Sequence, residues 1–365
     1  MGTLKQPSME FTFTQKAKTF KQRSTGNIIM FVTESEIEKE TILELEEKDD
    51  ATKLNNIFKQ SLQLVEDCFS FEISPNLVTV YVMKEEPKDM VTILNDVKAT
   101  RERGILIYPQ GSEPTQKALV DWTKLQAKTN KPFKCVVVGD GADIEEVIQL
   151  DKTQEIDFLD GTRTDKEFKN YIPSIASVIA GSGATRGMNY VALTNLKRVK
   201  EPVDVDESIN TGHLVLINDE GTVRIALGIN SKVTLKEGEG DDLKFLETTE
   251  TIHLMKRDVS NVFKNDYIAK GKKNSPDMQQ LFITDVNNYF RKLEEENILD
   301  GNYTNFADIN VGRQREKLIA KGFEEAKKWD DAKVKNNVVD KDVYAKGTIK
   351  IAQSVINLEF NNTLV

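Results

Sequence analysis

Between residues 77 and 179, short apolar runs alternate with segments whose apolar residues recur at helical spacing. That alternation constrains the fold more than any other feature. Leu77-Val78-Thr79-Val80-Tyr81-Val82, Ile105-Leu106-Ile107-Tyr108, Lys134-Cys135-Val136-Val137-Val138 and Ile156-Asp157-Phe158-Leu159 read as strands. Met90, Leu94 and Val97, then Leu119, Trp122 and Leu125, then Tyr171, Ile172, Ile175, Val178 and Ile179 line helices. A strand apolar along its whole length is covered on both faces, as crossover helices do for a parallel sheet. The expectation is an α/β domain over residues 26–200, opened by the strand Ile28-Ile29-Met30-Phe31-Val32 and a helix carrying Leu54, Ile57, Phe58, Leu62, Val65 and Phe69. The acid-dense segment from Glu34 to Asp50 is expected as a solvated loop or surface helix.

Beyond the polar connector Glu201-Pro202-Val203-Asp204-Val205-Asp206 the pattern changes. His213-Leu214-Val215-Leu216-Ile217 and Val223-Arg224-Ile225-Ala226-Leu227 flank Asn218-Asp219-Glu220-Gly221, a hairpin signal. Two amphipathic helices are expected over residues 251–269 and 276–297, the second carrying Leu281, Phe282, Val286, Tyr289, Phe290 and Leu293. A further helix begins near Arg313, with Gly322 as its stop. Strands followed by helices indicate an α+β domain over residues 201–345. Each end of the chain carries a strand-like pattern: Met9, Phe11 and Phe13 alternate with polar residues, as do Ile356, Leu358 and Phe360. These strands can pair within their own domain, or they can be donated arms in segments 1–25 and 346–365 that extend a neighbour's sheet.

Composition narrows the function. Fifty Lys+Arg against 59 Asp+Glu give a net charge of −9, the wrong sign for a chain that coats phosphates, so no direct nucleic-acid partner is expected. No apolar stretch reaches the roughly 18–20 residues of a membrane span, and the N-terminus lacks the apolar run of a signal peptide. Cys68 and Cys135 are expected as buried free thiols. With only two histidines, His213 and His253, little material remains for a metal site or for acid–base catalysis, and no cofactor, metal site or catalytic residue is expected. Asp140 follows a strand end, but His213 reads as a sheet-surface residue, which leaves no Asp–His–Ser order. Gly181-Ser182-Gly183-Ala184-Thr185-Arg186-Gly187 follows a helix and reads as a C-cap and turn, not a phosphate loop. Gly139-Asp140-Gly141-Ala142-Asp143 reads as a strand-to-helix turn with an acidic cap.

Several fragments, in their order and spacing, resemble the contractile tail sheath proteins of myophages, R-type bacteriocins and defective prophages. They are Ser174-Ile175-Ala176-Ser177-Val178-Ile179-Ala180-Gly181, Met188-Asn189-Tyr190-Val191-Ala192-Leu193, Gly212-His213-Leu214-Val215-Leu216, Val223 through Ser231, and Asp266-Tyr267-Ile268-Ala269-Lys270-Gly271-Lys272. Phe282-Ile283, Tyr289-Phe290 and Leu293-Glu294 continue the series, whereas residues 34–70 match poorly. The resemblance implies a subtilisin-like parallel-sheet domain without enzymatic activity, a C-terminal α+β domain facing an inner tube, extended N- and C-terminal β arms, and no large outer decoration domain. It implies a structural subunit, made in the bacterial cytoplasm for a released virion or phage-tail-like particle, that polymerises with itself around a tail tube protein. Baseplate and tail terminator proteins would be its other partners; the competing reading is a non-polymerising baseplate module of the same fold. On this resemblance Met9, Phe11, Phe13, Ile356, Leu358 and Phe360 belong to donated strands, and Leu214, Leu216, Val223 and Ile225 to the receiving hairpin. The row Arg313, Lys317, Lys321 is either a solvated helix face or a contact with an acidic stripe on the tube.

Overall fold

A computed structural model describes residues 26–360 apart from 72, 73, 102, 130–132, 162 and 185. The chain begins with β1 (Asn27–Thr33), β2 (Thr41–Leu45), α1 (Lys48–Lys53), α2 (Leu62–Asp67), β3 (Leu77–Met83), α3 (Met90–Thr100), β4 (Gly104–Ile107), α4 (Glu113–Ala127) and β5 (Phe133–Val138). It continues through β6 (Val147–Leu150), β7 (Glu155–Phe158), α5 (Ile172–Ser182), β8 (Leu196–Lys200), α6 (Val205–Asn210), β9 (His213–Leu214), β10 (Leu216–Asp219) and β11 (Thr222–Ile225). The last stretch holds α7 (Leu246–Val262), which runs into a π-helical turn over Phe263–Ile268, then α8 (Pro276–Glu295), β12 (Phe306–Ile309), α9 (Val311–Ala320), α10 (Asp331–Lys335) and β13 (Ala345–Thr348).

Seven strands form one sheet in the order β2-β3-β1-β4-β5-β6-β9, parallel except for β2. Alternate side chains of β1 enter opposite cores. Ile28, Met30 and Val32 join α2 and α5 residues on one face, while Ile29 and Phe31 join α3 and α4 residues on the other. Cys68 and Cys135 are buried and unpaired, and burial pushes the Cys135 thiol up to about 12. A Cβ on Gly104 would meet Ile29 Cδ1 at 2.5 Å, so β4 starts on a residue without one.

Several expectations change. The run Leu54–Phe69, expected as one helix, is helical only over Leu62–Asp67, with Leu54, Ile57, Phe58 and Phe69 in the turns on either side. The segment 34–50 contains an edge strand, because Thr41–Leu45 pairs antiparallel with β3 and buries Leu45. Within that segment Glu34 is buried, and its carboxylate accepts from Gln60 N, Ser61 N and Ser61 Oγ at the start of α2. Ile156-Asp157-Phe158 leaves the large sheet and pairs antiparallel with β8; an apolar run of four does not encode the direction of its partner. The segment after Gly139 runs into β6, not a helix, and Asp143 accepts from Val233 N and Thr234 N. The glycine-rich turn after α5 does end that helix, at Gly183 with φ 58°.

A third core gathers around α7, α8 and β12, with Leu254, Phe282, Ile283, Phe290 and Leu293. Helix α7 joins the cores: Leu246 belongs to the first, and Leu254 and Met255 to the third. It is also pinned to the sheet by buried charge. Lys134 on β5 pairs with Glu250, and Glu146, just before β6, pairs with His253 at 3.4 Å. The strand His213–Leu214 lies beyond residue 200, yet it is the seventh strand of the large sheet, beside β6.

Candidate assembly surfaces

In an open α/β sheet the usual ligand crevice lies where the strand order reverses, here past the C-terminal ends of β1 and β4. Gln110 fills it. Its Oε1 accepts from Thr33 N at 2.8 Å, its Nε2 donates to Thr33 O at 3.2 Å, and the Tyr108 and Thr33 hydroxyls meet at 2.6 Å. His213 is not a sheet-surface residue: it is 7% exposed, and its Nε2 lies 2.9 Å from Asp140 Oδ1. Its Nδ1 lies 3.1 Å from Thr211 Oγ1, but that hydroxyl donates to the carbonyls of Glu207 and Ser208. Lys152 first, then His213, hold the Asp140 carboxyl below its ordinary range. The pair ties β9 to the loop after β5. Among the described residues no group of three or more His, Cys, Asp or Glu could hold a metal ion, and no helix is long and apolar enough to cross a membrane.

The β10–β11 hairpin turns through Glu220 and Gly221, both with positive φ, and pairs Leu216 with Ile225 and Asn218 with Val223. Leu214, Leu216, Val223 and Ile225 are all buried in the first core. Both hairpin edges are occupied within the chain. On β11, Val223 O accepts from Leu193 N, Ile225 N donates to Val191 O and Ile225 O accepts from Tyr190 N. On β10, Gln154 bonds both N and O of Leu216, and Glu201 accepts from Asn218 N. An incoming strand would have to displace these groups, so the hairpin expected as the receiver presents no open edge.

An open edge exists elsewhere. β12 and β13 pair antiparallel, Phe306 with Thr348 and Ile309 with Ala345. Asn287 of α8 bonds both N and O of Ala307, which faces β12 away from β13 at that residue. Its opposite, Gly347, therefore faces outward too. Further along, Asp300 N donates to Lys350 O and Ala352 N to Ile298 O, so Lys350 and Ala352 face inward. The outward backbone groups are those of Ala345, Gly347, Ile349 and Ile351, and none has a partner among the described residues. Every residue of β13 is exposed. Sequence reading missed this strand because Ala-Lys-Gly-Thr carries no apolar alternation.

The chain then crosses to α7. Gln353 Nε2 donates to Thr248 Oγ1 at 3.1 Å, Ser354 Oγ donates to Glu247 Oε1 at 2.9 Å, and Ser354 N to Glu247 Oε2 at 3.3 Å. Gly187 closes over this point; a Cβ there would lie 3.0 Å from Ser354 Cβ and closer to its hydroxyl. Past Ser354 the apolar side chains are exposed: Val355 90%, Ile356 47%, Leu358 88% and Phe360 74%. Residues 355–360 form no strand within this chain. Met9, Phe11 and Phe13 lie outside the described residues.

Helix α9 carries the basic row. Arg313 pairs with Glu316 at 2.9 Å and Lys321 with Asp340, leaving Lys317 without an ionic partner among the described residues. Gly322, at φ 96°, ends the helix, with Phe323 N reaching back to Leu318 O.

Residues 239–364, which hold α7 to β13 and the exposed tail, match the phage tail sheath C-terminal domain family. The tail sheath protein of Clostridium phage phiCD119 is 27% identical over 270 residues, covering 73% of this chain and 71% of that protein. Among solved structures, the sheath tail protein of Desulfitobacterium hafniense superposes with a TM-score of 0.66 at 11% identity, over 83% of this chain and 94% of that one. The helical sheath of the anti-feeding prophage in its contracted state gives 0.68 at 14% identity, over 98% and 99%.

Proposed function

We propose that the chain is the repeating subunit of a contractile tail sheath, polymerising helically around an inner tube and driving it through a cell envelope on contraction. The observation that carries this reading is the coexistence, in one chain, of an exposed apolar arm over residues 355–360 and an open strand edge over residues 345–351. Donor and acceptor are different surfaces, so their pairing is heterologous and generates an open helix or a ring. Strand addition suits a machine that moves: backbone bonds hold register while rigid bodies turn about them. A six-residue strand contributes a handful of bonds at about 0.5–1.5 kcal/mol each, and burying Ile356, Leu358 and Phe360 adds roughly 1.5–3 kcal/mol each before ordering costs.

The N-terminal alternation at Met9, Phe11 and Phe13 would supply a second donated strand. The β13 edge, and not the β10–β11 hairpin, is the receiver. The units over residues 26–200 and 201–345 would move as bodies between these links, with β9 fixed to the first. On α9, Lys317 is the residue left to meet an acidic tube surface. The polymer would end on baseplate and terminator proteins, and the function assigns no catalytic step. A non-polymerising baseplate module of the same fold would use these surfaces for a few fixed partners. Electron microscopy of the purified chain, alone and with its tube protein, separates the two: hollow cylinders support the sheath, and dispersed monomers under both conditions overturn it.

A further inference from the structure

Donor and acceptor lie on one continuous stretch of chain, and that creates a hazard. The open edge runs to Ile351 and the arm begins at Val355. A four-residue turn over residues 352–355 would fold the arm back on its own edge, with Ile356 opposite Ile351, Leu358 opposite Ile349 and Phe360 opposite Gly347. Turns of this length are common in hairpins. A partner tethered so closely acts at an effective concentration on the order of millimolar, which outcompetes a neighbouring subunit in dilute solution. Gln353 and Ser354 are the centre of that turn, and both are held elsewhere, on Thr248 and Glu247 at the start of α7. Gly187 packs against this point, where a Cβ would meet Ser354 and the Glu247 carboxylate.

We propose that Glu247, Thr248 and Gly187 form a clasp on Gln353 and Ser354 that prevents the C-terminal arm from capping its own β13 edge, keeping donor and acceptor available to other copies. The clasp acts against an alternative fold and adds little to the stability of this one. It also fixes the arm's pivot between Ser354 and Val355. The six described residues beyond it span at most about 20 Å when extended, so the receiving edge of a neighbour must come within that radius of Ser354.

This inference rests on the sheath reading for its purpose, but it is testable on the monomer. Two variants open the clasp independently: Glu247→Ala with Thr248→Ala removes all three bonds, and Gln353→Asn with Ser354→Gly leaves Glu247 in place and favours the turn. Hydrogen exchange of the full chain is followed below its assembly concentration, on the amides of Gly347, Ile349 and Ile351. The expected result is a rise in protection of about tenfold or more in each folded variant, reversed by adding Leu358→Pro, together with loss of polymer at concentrations where the wild type assembles. Unchanged exchange with wild-type assembly in a folded variant overturns the clasp. Absence of polymer in the wild type overturns the sheath reading instead, and leaves the exchange comparison intact as the test of the clasp.

Discussion

Lys134, Glu250, Glu146 and His253 are buried between the sheet and α7, where unpaired charge is costly. Burial drives Lys134 down to about 7, with Glu146 pulling the other way. Glu250→Ala strands that amine, and below pH 7 urea unfolding is expected to show a loss of about 3 kcal/mol. The loss should shrink as pH rises, because a neutral amine needs no counter-charge. Replacing both partners, Lys134→Met with Glu250→Leu, should recover most of it. Burial first, opposed by the Glu146 bond, also holds His253 below its ordinary value of 6.5. The unfolded chain then binds one proton more as pH falls below 6.5, so stability declines on the acid side. In His253→Gln the unfolding free energy between pH 6.5 and 5.5 should be flatter by up to about 1.4 kcal/mol per pH unit. An unchanged slope would mean that His253 titrates alike in both states.

At the scale of elements, donor and acceptor separate cleanly. Leu358→Asp alters a side chain in solvent, so the melting temperature should stay within about 2 °C while sedimentation shows assembly lost. Gly347→Pro removes an outward amide from the receiving edge and leaves the inward ladder to β12 intact. It too should give a folded subunit that does not polymerise, yet still donates its arm to wild-type subunits. Lys317→Glu should leave sheath-on-sheath assembly unchanged and weaken co-assembly with the tube; normal co-assembly would return α9 to a solvated face. The strands β1, β3, β4 and β5 were legible because apolar residues run through them almost continuously, as a doubly covered sheet requires. The helices α7, α8 and α9 were legible from their 3.6-residue period, with Ser275-Pro276 and Gly322 as punctuation. The edge strands were not. Half of β2 faces water among acids, and β13 has no apolar residue larger than Ala345, so neither leaves a period to read. The β10–β11 hairpin is the better patterned because its apolar residues are buried in their own core, whereas the unpatterned β13 is the strand with an open edge.

For the molecule as a whole, one chain carries a doubly wound body, a helical unit joined to it through α7, an outward arm and an open edge. In the proposed sheath such a subunit would link to its neighbours by strands, which lets bodies rotate without the links parting. The most direct measurement is a reconstruction of the assembled cylinder at a resolution that traces the backbone between subunits. The expected result is residues 355–360 of each subunit lying as an added strand along residues 345–351 of a different subunit, with Ser354 still on Glu247 of its own. Cylinders in which the arm folds onto its own β13, or in which the 345–351 edge stays bare, would contradict strand exchange as the bond that holds the polymer.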